Sequence, residues 1–297
     1  TLIPLIFAAG CSSAPNQPSV PAQTGSSLQV VTSISPLADL IKNVGGDKVK
    51  VTPLIKAGTD PHDYEPKPED VKLVASANVF FANGAGEEPY LDKLVKNTGS
   101  PTLKIVTLSD GLEILGKGGD GEYAQTGNPH LWLDPENAQA YVKKIQDTLS
   151  ELSPVNKESF RSNAEAYLKT LQELDKTIGR HLQSIPRGNR VMVVFHDAWP
   201  YFAKRYGLEY KSIISHAESE PSAREYTELI AYIKRHNVKA VFAEAGFNPK
   251  LVKQLARDTG VKFVDNLYTD TVSDTGEADS YTKMMYANAN TIVDSLK

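Results

Sequence analysis

The segment 153–185 constrains this chain more than any other, because it reads as one long helix with a single apolar face. Phe160, Tyr167, Leu171, Leu174, Ile178 and Leu182 recur at steps of three, four or seven, the spacing that lines residues along one side of a helix. Ser153 and Pro154 supply a start, and Pro186 with Gly188 a stop. About 30 residues at 1.5 Å each make a rod roughly 45 Å long. Such a rod between two folded units is a stiff spine, whereas the glycine-rich crossovers of hinged proteins would permit wide swings.

The flanks of the spine share one grammar. Before it, LQVVTSI, VKVTPLI, VFFAN and LKIVTL read as strands, with helical spacing in SPLADLIKNVGG, KPEDVKLVASA and EEPYLDKLVKN. After it, RVMVVF, EYKSIIS, VKAVFAE and VKFVDNL are strands, and DAWPYFAKRYG, SAREYTELIAYIKRHN, NPKLVKQLARDTG and DSYTKMMYANANTIVDSL are helices. Alternation of this kind favours mainly parallel sheets flanked by helices. The expected fold is α/β: two lobes, 28–152 and 186–297, joined by the rigid helix 153–185.

The chain ahead of residue 28 has another character. No Asp, Glu, Lys or Arg occurs from Thr1 through Ala38, and the run TLIPLIFAAG is too short to span a bilayer. It reads as the end of a signal peptide, residues 1–10. Cys11, the only cysteine, follows directly in FAAGCSS, which resembles a lipobox whose cysteine becomes lipidated; Ala8 stands where leucine is usual. Residues 11–27, rich in Ser, Pro and Gln, then read as a tether. Lipid, tether and globular part together describe a protein held at the outer face of a membrane. With a net charge of -4 and basic residues scattered among acidic ones, the chain has no general attraction for nucleic acid.

Parallel sheets expose ligands at the carboxyl ends of their strands, so titratable residues there are the candidates for chemistry. His62 follows VKVTPLI in the turn GTDPHDYEPKP, His196 ends RVMVVFH, and Asp270 follows KFVDNLYT. His130, in GNPHLWLDP, stands on a second proline-flanked loop before a helix starting near Pro135. Two candidates fall in each half, as a site in a cleft between lobes requires. Three imidazoles and one carboxylate suit zinc, copper, nickel or iron better than an oxygen-rich site would. No local motif such as HExxH accompanies them, and a lone histidine after a strand is ordinarily a hydrogen-bonded core or surface residue.

The segments SPLADLIKNVGGD, GTDPHDYEPKPEDV, NPHLWLDPENA, HDAWPYFAKRYGL, EPSAREYTELI and LYTDTVSDTGEADSYTKMM carry more. Through them the globular chain resembles, over nearly its whole length, the zinc and manganese solute-binding lipoproteins of bacterial ABC importers, solute-binding family 9. The resemblance implies two α/β lobes joined by a rigid helix and one metal ion between them. His62 and His130 would be ligands from the first lobe, His196 and Asp270 from the second. It also implies a non-catalytic, extracytoplasmic carrier that serves a membrane permease and a cytoplasmic ATPase. The protein is expected to be monomeric and held to the membrane through lipidated Cys11. Manganese carriers of the family usually have glutamate where this chain has His196, so the expected cargo is zinc, with manganese or iron as the alternative. The histidine-rich loop of many zinc carriers is missing from GKGGDGEYAQTG.

Among the remaining polar residues, Glu244 at the end of VKAVFAE is placed to stand behind a ligand. Asp60 should fix the turn before Pro61, and Asp197 should cap the helix after His196. His181 and His236 end helices, and His216 lies in a polar loop able to line the cleft. Two functions from other classes compete. A metallohydrolase on the same histidines needs an open coordination position for water. A surface adhesin would use the exposed location but leaves four ligands at strand ends unexplained.

Overall fold

The computed structural model describes residues 27–118, 122–214 and 221–297. Residues 1–10, Cys11, nearly all of the tether and His216 lie outside the described residues. In the first half, β1 (Leu28–Thr32), β2 (Val49–Pro53), β3 (Val79–Ala82) and β4 (Lys104–Thr107) form a parallel sheet in the order β2-β1-β3-β4. Helices α1 (Ser35–Gly45), α2 (Pro68–Ala75), α3 (Leu91–Thr98) and α4 (Pro135–Leu152) accompany it. The spine is α5 (Lys157–Leu182). The second half repeats the pattern with β5 (Val191–Val194), β6 (Glu209–Ser212), β7 (Ala240–Glu244) and β8 (Lys262–Leu267), in the order β6-β5-β7-β8. Its helices are α6 (Pro200–Tyr206), α7 (Ala223–Arg235), α8 (Lys250–Thr259) and α9 (Tyr281–Leu296).

The strand sequences explain the orders. VFFA in β3 and AVFAE in β7 are buried at every position, as central parallel strands covered on both faces must be. The outer strands carry Lys50, Lys104, Lys211 and Lys262, charges that discourage further pairing along an open edge. In each sheet the chain leaves one central strand in both directions, first to one side and then to the other. That reversal opens a crevice at the carboxyl ends of β1 and β3, and of β5 and β7.

The spine is shorter than the sequence suggests. The α-helix has 26 residues, and Pro154–Asn156 form a separate 3-10 turn. The chain must reverse between α4 and α5, and Ser153 N donates to Leu149 O while Asn156 N donates to Ser153 O, so the first predicted turn is used in the corner. The helix is also more than a linker. Phe160, Leu171 and Ile178 belong to one buried apolar cluster with Phe80 of the first sheet, Phe242 of the second and Tyr281 of α9. Closing the chain, α9 packs back against α5 and α1. A core shared in this way resists wide separation of the halves.

A charged lock reinforces it. Arg205 on α6 reaches Asp175 on the spine with two bonds, Nε–Oδ1 at 2.6 Å and Nη2–Oδ2 at 2.5 Å. It also reaches Glu136 at 2.5 Å and Asp134 at 3.2 Å, both at the start of α4. The forked guanidinium suits this arrangement, and the side chain is 20% exposed. Arg205→Ala should therefore destabilise the fold by about 2 kcal/mol. Urea unfolding measures this; a loss below about 0.5 kcal/mol would mean the network acts as an ordinary surface pair.

Candidate metal centre

Both loops of the first half present a histidine by the same local device. In Asp60-Pro61-His62, Asp60 Oδ1 accepts the His62 backbone N–H at 2.9 Å, the turn-fixing role expected for Asp60. In Asn128-Pro129-His130, Asn128 Oδ1 accepts the His130 backbone N–H at 3.1 Å. Asn128 does more, because the same oxygen lies 2.9 Å from His130 Nδ1. That oxygen can only accept, so Nδ1 carries the proton and Nε2 is left with a lone pair.

His196 follows β5 directly, and its Nδ1 is hydrogen-bonded to Glu244 Oε2. Glu244 accepts a second bond, from Trp199 Nε1 at 2.9 Å, one of the chain's two tryptophans. The other, Trp132, donates to Thr269 O at 2.8 Å and pins the loop that carries Asp270. The pairing of β7 with β8 shifts register between Phe242 and Glu244, which turns the end of β7 beside the site. Further bonds tie the two halves here: Gly58 N to Thr271 Oγ1 at 2.8 Å, Val272 N to Ser35 Oγ at 3.0 Å and Asn128 Nδ2 to Asp197 O at 2.6 Å.

The four side chains converge. One donor atom from each of His62, His130, His196 and Asp270 lies within 4.8 Å of all the others. His130 Nε2 is 3.2 Å from His196 Nε2 and 3.4 Å from Asp270 Oδ1. His196 Nε2 is 3.4 Å from Asp270 Oδ2, and His62 Nε2 is 3.9 Å from it. A tetrahedral ion with bonds of about 2.05 Å has ligands about 3.3 Å apart; the His130–His196 pair has that spacing, and each of the two lies 3.4 Å from a different oxygen of Asp270. His62 is the outlier and the most exposed of the four, at 21%.

Electrostatics favour a cation at this point. His130 Nε2 and His196 Nε2 face each other at 3.2 Å with Asp270 beside both, so the gap suits a positive species, either a proton on His196 Nε2 or a metal ion. Burial and the neighbouring His196 and His62 hold His130 well below its usual pKa, so it stays neutral. Burial pushes His196 down as well, but Glu244 and Asp270 outweigh it and raise His196 to about 9. Burial lifts Asp270 to about 7, with Glu244 and Asp60 adding to the rise against the opposing pull of His196.

Two readings of the sequence need correction. Asp197 does not cap α6; its Oδ1 accepts from Tyr210 Oη at 2.7 Å, and the α6 N-cap is Trp199. The helix read from EEPYLDKLVKN begins only at Leu91, because Glu88 is used inside the preceding loop, where it accepts from Ser33 Oγ, Asn83 N and Gly84 N. Asn128 has a signal of its own in the sequence, the Asx-Pro-His tripeptide it shares with Asp60.

Two α/β lobes, each with a strand-order reversal at the cleft, and three histidines and an aspartate converging between them define a two-lobed metal-binding protein of the solute-binding class. The chain belongs to the ZnuA family, described as zinc-uptake complex component A, periplasmic, which matches residues 30–295. It is 35% identical over 304 residues to the manganese-binding lipoprotein MntA of Halalkalibacterium halodurans, covering 98% of this chain and 95% of that one. It is 32% identical to the manganese ABC transporter substrate-binding lipoprotein PsaA of Streptococcus pneumoniae, over 91% of this chain and 89% of the relative. Among solved structures, a ZnuA crystal structure superposes with a TM-score of 0.82 at 30% identity, covering 92% of this chain and all of the other. A manganese-bound periplasmic metal-binding protein from Candidatus Liberibacter asiaticus gives 0.81 at 26% identity, over 91% of this chain and all of the other.

Proposed function

We propose that this chain captures zinc between its lobes through His62, His130, His196 and Asp270. It is the substrate-binding component of a metal-ion ABC importer and hands its cargo to the membrane permease that a cytoplasmic ATPase drives. The observation that carries the ligand assignment is the convergence of four donors within 4.8 Å of one another, two of them with Nδ1 anchored by Asn128 and Glu244. Anchoring each imidazole from behind fixes which nitrogen faces the ion and raises its basicity. Three imidazoles favour zinc over manganese. Manganese is the second reading, favoured by the relatives named for it.

The protein works outside the cell membrane, held there by a lipid on Cys11, and acts as a monomer. The residue ranges 28–152 and 186–297 are its lobes. Release starts at His62, the most exposed ligand, on a loop of glycine and prolines, because the shared core opposes wider opening. Four protein ligands leave no open position for a hydrolytic water, so the cargo is carried unreacted.

The test is a competition titration of metal-stripped protein with zinc and manganese, following emission from Trp199, which is bonded to the partner of His196, and counting bound metal by mass spectrometry. One zinc per chain that manganese does not displace is the expected result. Retention of manganese against zinc would make this a manganese carrier, and no stoichiometric binding of either would remove the ligand assignment.

A further inference from the structure

The loop between β3 and α3 holds two adjacent glutamates with opposite fates. Its backbone is built at some cost: Gly84, Ala85 and Gly86 are consecutive left-handed residues, at φ of 84°, 53° and 87°. A Cβ on Gly84 would sit 2.3 Å from Thr107 Cγ2, and one on Gly86 2.8 Å from Thr126 Cβ, so glycine is required at both. Glu88 is fully used by this loop, accepting from Ser33 Oγ at 2.6 Å, Asn83 N at 2.8 Å and Gly84 N at 3.0 Å. The loop in turn steadies the His130 turn, since Asn83 Nδ2 donates to Pro129 O at 2.8 Å.

Glu87 has none of these bonds. It is 5% exposed, and neither carboxyl oxygen has a hydrogen-bond partner among the described residues. A buried carboxyl left in this state costs about 1–3 kcal/mol or more, so it invites a partner from outside the protein, water or a cation. Burial holds the Glu87 carboxyl well above its ordinary range, and the charges of Asp270, Glu88 and Asp60, all carboxylates, add to the rise. Asp270 Oδ1 likewise lacks a hydrogen-bond partner. Asp270, the strongest of these charges in its influence, is one of the four converging residues, and oxygens without donors in an acidic interior are what a hard divalent cation takes up.

We propose that Glu87 is a reserve oxygen donor to the cargo metal, the group that lets a three-histidine site accept manganese as well as zinc. The inference rests on the metal-carrier reading above. Zinc is satisfied by four donors in a tetrahedron, whereas manganese favours oxygen ligands and higher coordination numbers. Zinc therefore sits on the three imidazoles and Asp270 alone, and manganese recruits Glu87 as a fifth ligand. Glu87 is then a determinant of selectivity rather than of zinc capture.

The test uses the full chain, metal-stripped, as wild type and Glu87→Gln, which keeps the shape and removes the carboxylate that a metal would take. Zinc and manganese affinities are measured separately by competition with a metal indicator, and cobalt(II) is added as a spectroscopic probe of coordination number. The expected result is manganese binding weakened about tenfold or more with zinc nearly unchanged. The visible cobalt bands should also strengthen in the variant as five-coordinate cobalt becomes tetrahedral. Equal loss of both metals, or unchanged manganese binding, would overturn the proposal. A Glu87→Asp control distinguishes loss of the carboxylate from a folding defect: it should retain part of the manganese affinity, and failure to do so despite an unchanged thermal midpoint also counts against it. If the wild type binds neither metal, the carrier reading falls and this inference with it, an outcome told apart by the wild-type titration.

Discussion

His196→Ala should lose zinc retention and, before any metal is added, unfold at lower denaturant than the wild type. The first effect follows from ligand number. Four donors that share a zinc-binding free energy of roughly 12 kcal/mol supply about 3 kcal/mol each, so removing one weakens binding roughly a hundredfold. The second follows from what stands behind the ring. Glu244 is buried and has two donors, His196 Nδ1 and Trp199 Nε1; alanine leaves only the tryptophan. Leaving a buried carboxylate half-paired costs about 2–3 kcal/mol.

A second substitution separates the two. Asparagine places its amide nitrogen near the position of Nδ1, so His196→Asn should restore most of the lost stability but not zinc binding. Urea unfolding and zinc competition on both variants read the two effects independently. Zinc binding within a few-fold of wild type in either variant would remove His196 from the ligand set.

Much of this arrangement was legible because it follows from strand chemistry. The eight strands appear where β-branched runs meet turn residues, and three of the four converging side chains are found just after strands, with His130 on a proline-flanked loop. Glu244 was found the same way, since a carboxylate closing an otherwise apolar buried strand needs a partner. What stayed hidden was decided by tertiary contacts. Glu87 and Glu88 ahead of LDKLVKN look like an acidic first helical turn, a common and favourable pattern. Nothing local says that one of them will be wired to Ser33 across the sheet and the other left bare in the interior. Likewise, Ser153-Pro154 is a sound helix start read alone; the α4–α5 corner diverts it into a separate turn.

Zinc affinity should fall roughly a thousandfold between about pH 8 and about pH 6. The metal binds deprotonated donors, so each group protonated in the metal-free protein competes with it. His196, raised to about 9, is protonated throughout this range and contributes about tenfold per pH unit. Asp270, raised to about 7, is mostly ionised at the upper end and mostly protonated at the lower, adding about another tenfold. His130 is held neutral and adds nothing. The stability of the metal-free protein should move the other way. Both groups have folded pKa values above their ordinary 6.5 and 3.8, so their contributions are full at low pH. The Asp270 contribution is lost as pH rises toward about 7, and that of His196 between about 6.5 and about 9. Thermal unfolding with and without zinc should therefore show a gap that widens as pH rises, because the proton that stabilises the metal-free site is the one zinc displaces. A zinc affinity that changes less than about tenfold over the same range would mean that neither His196 nor Asp270 holds a competing proton in the metal-free site.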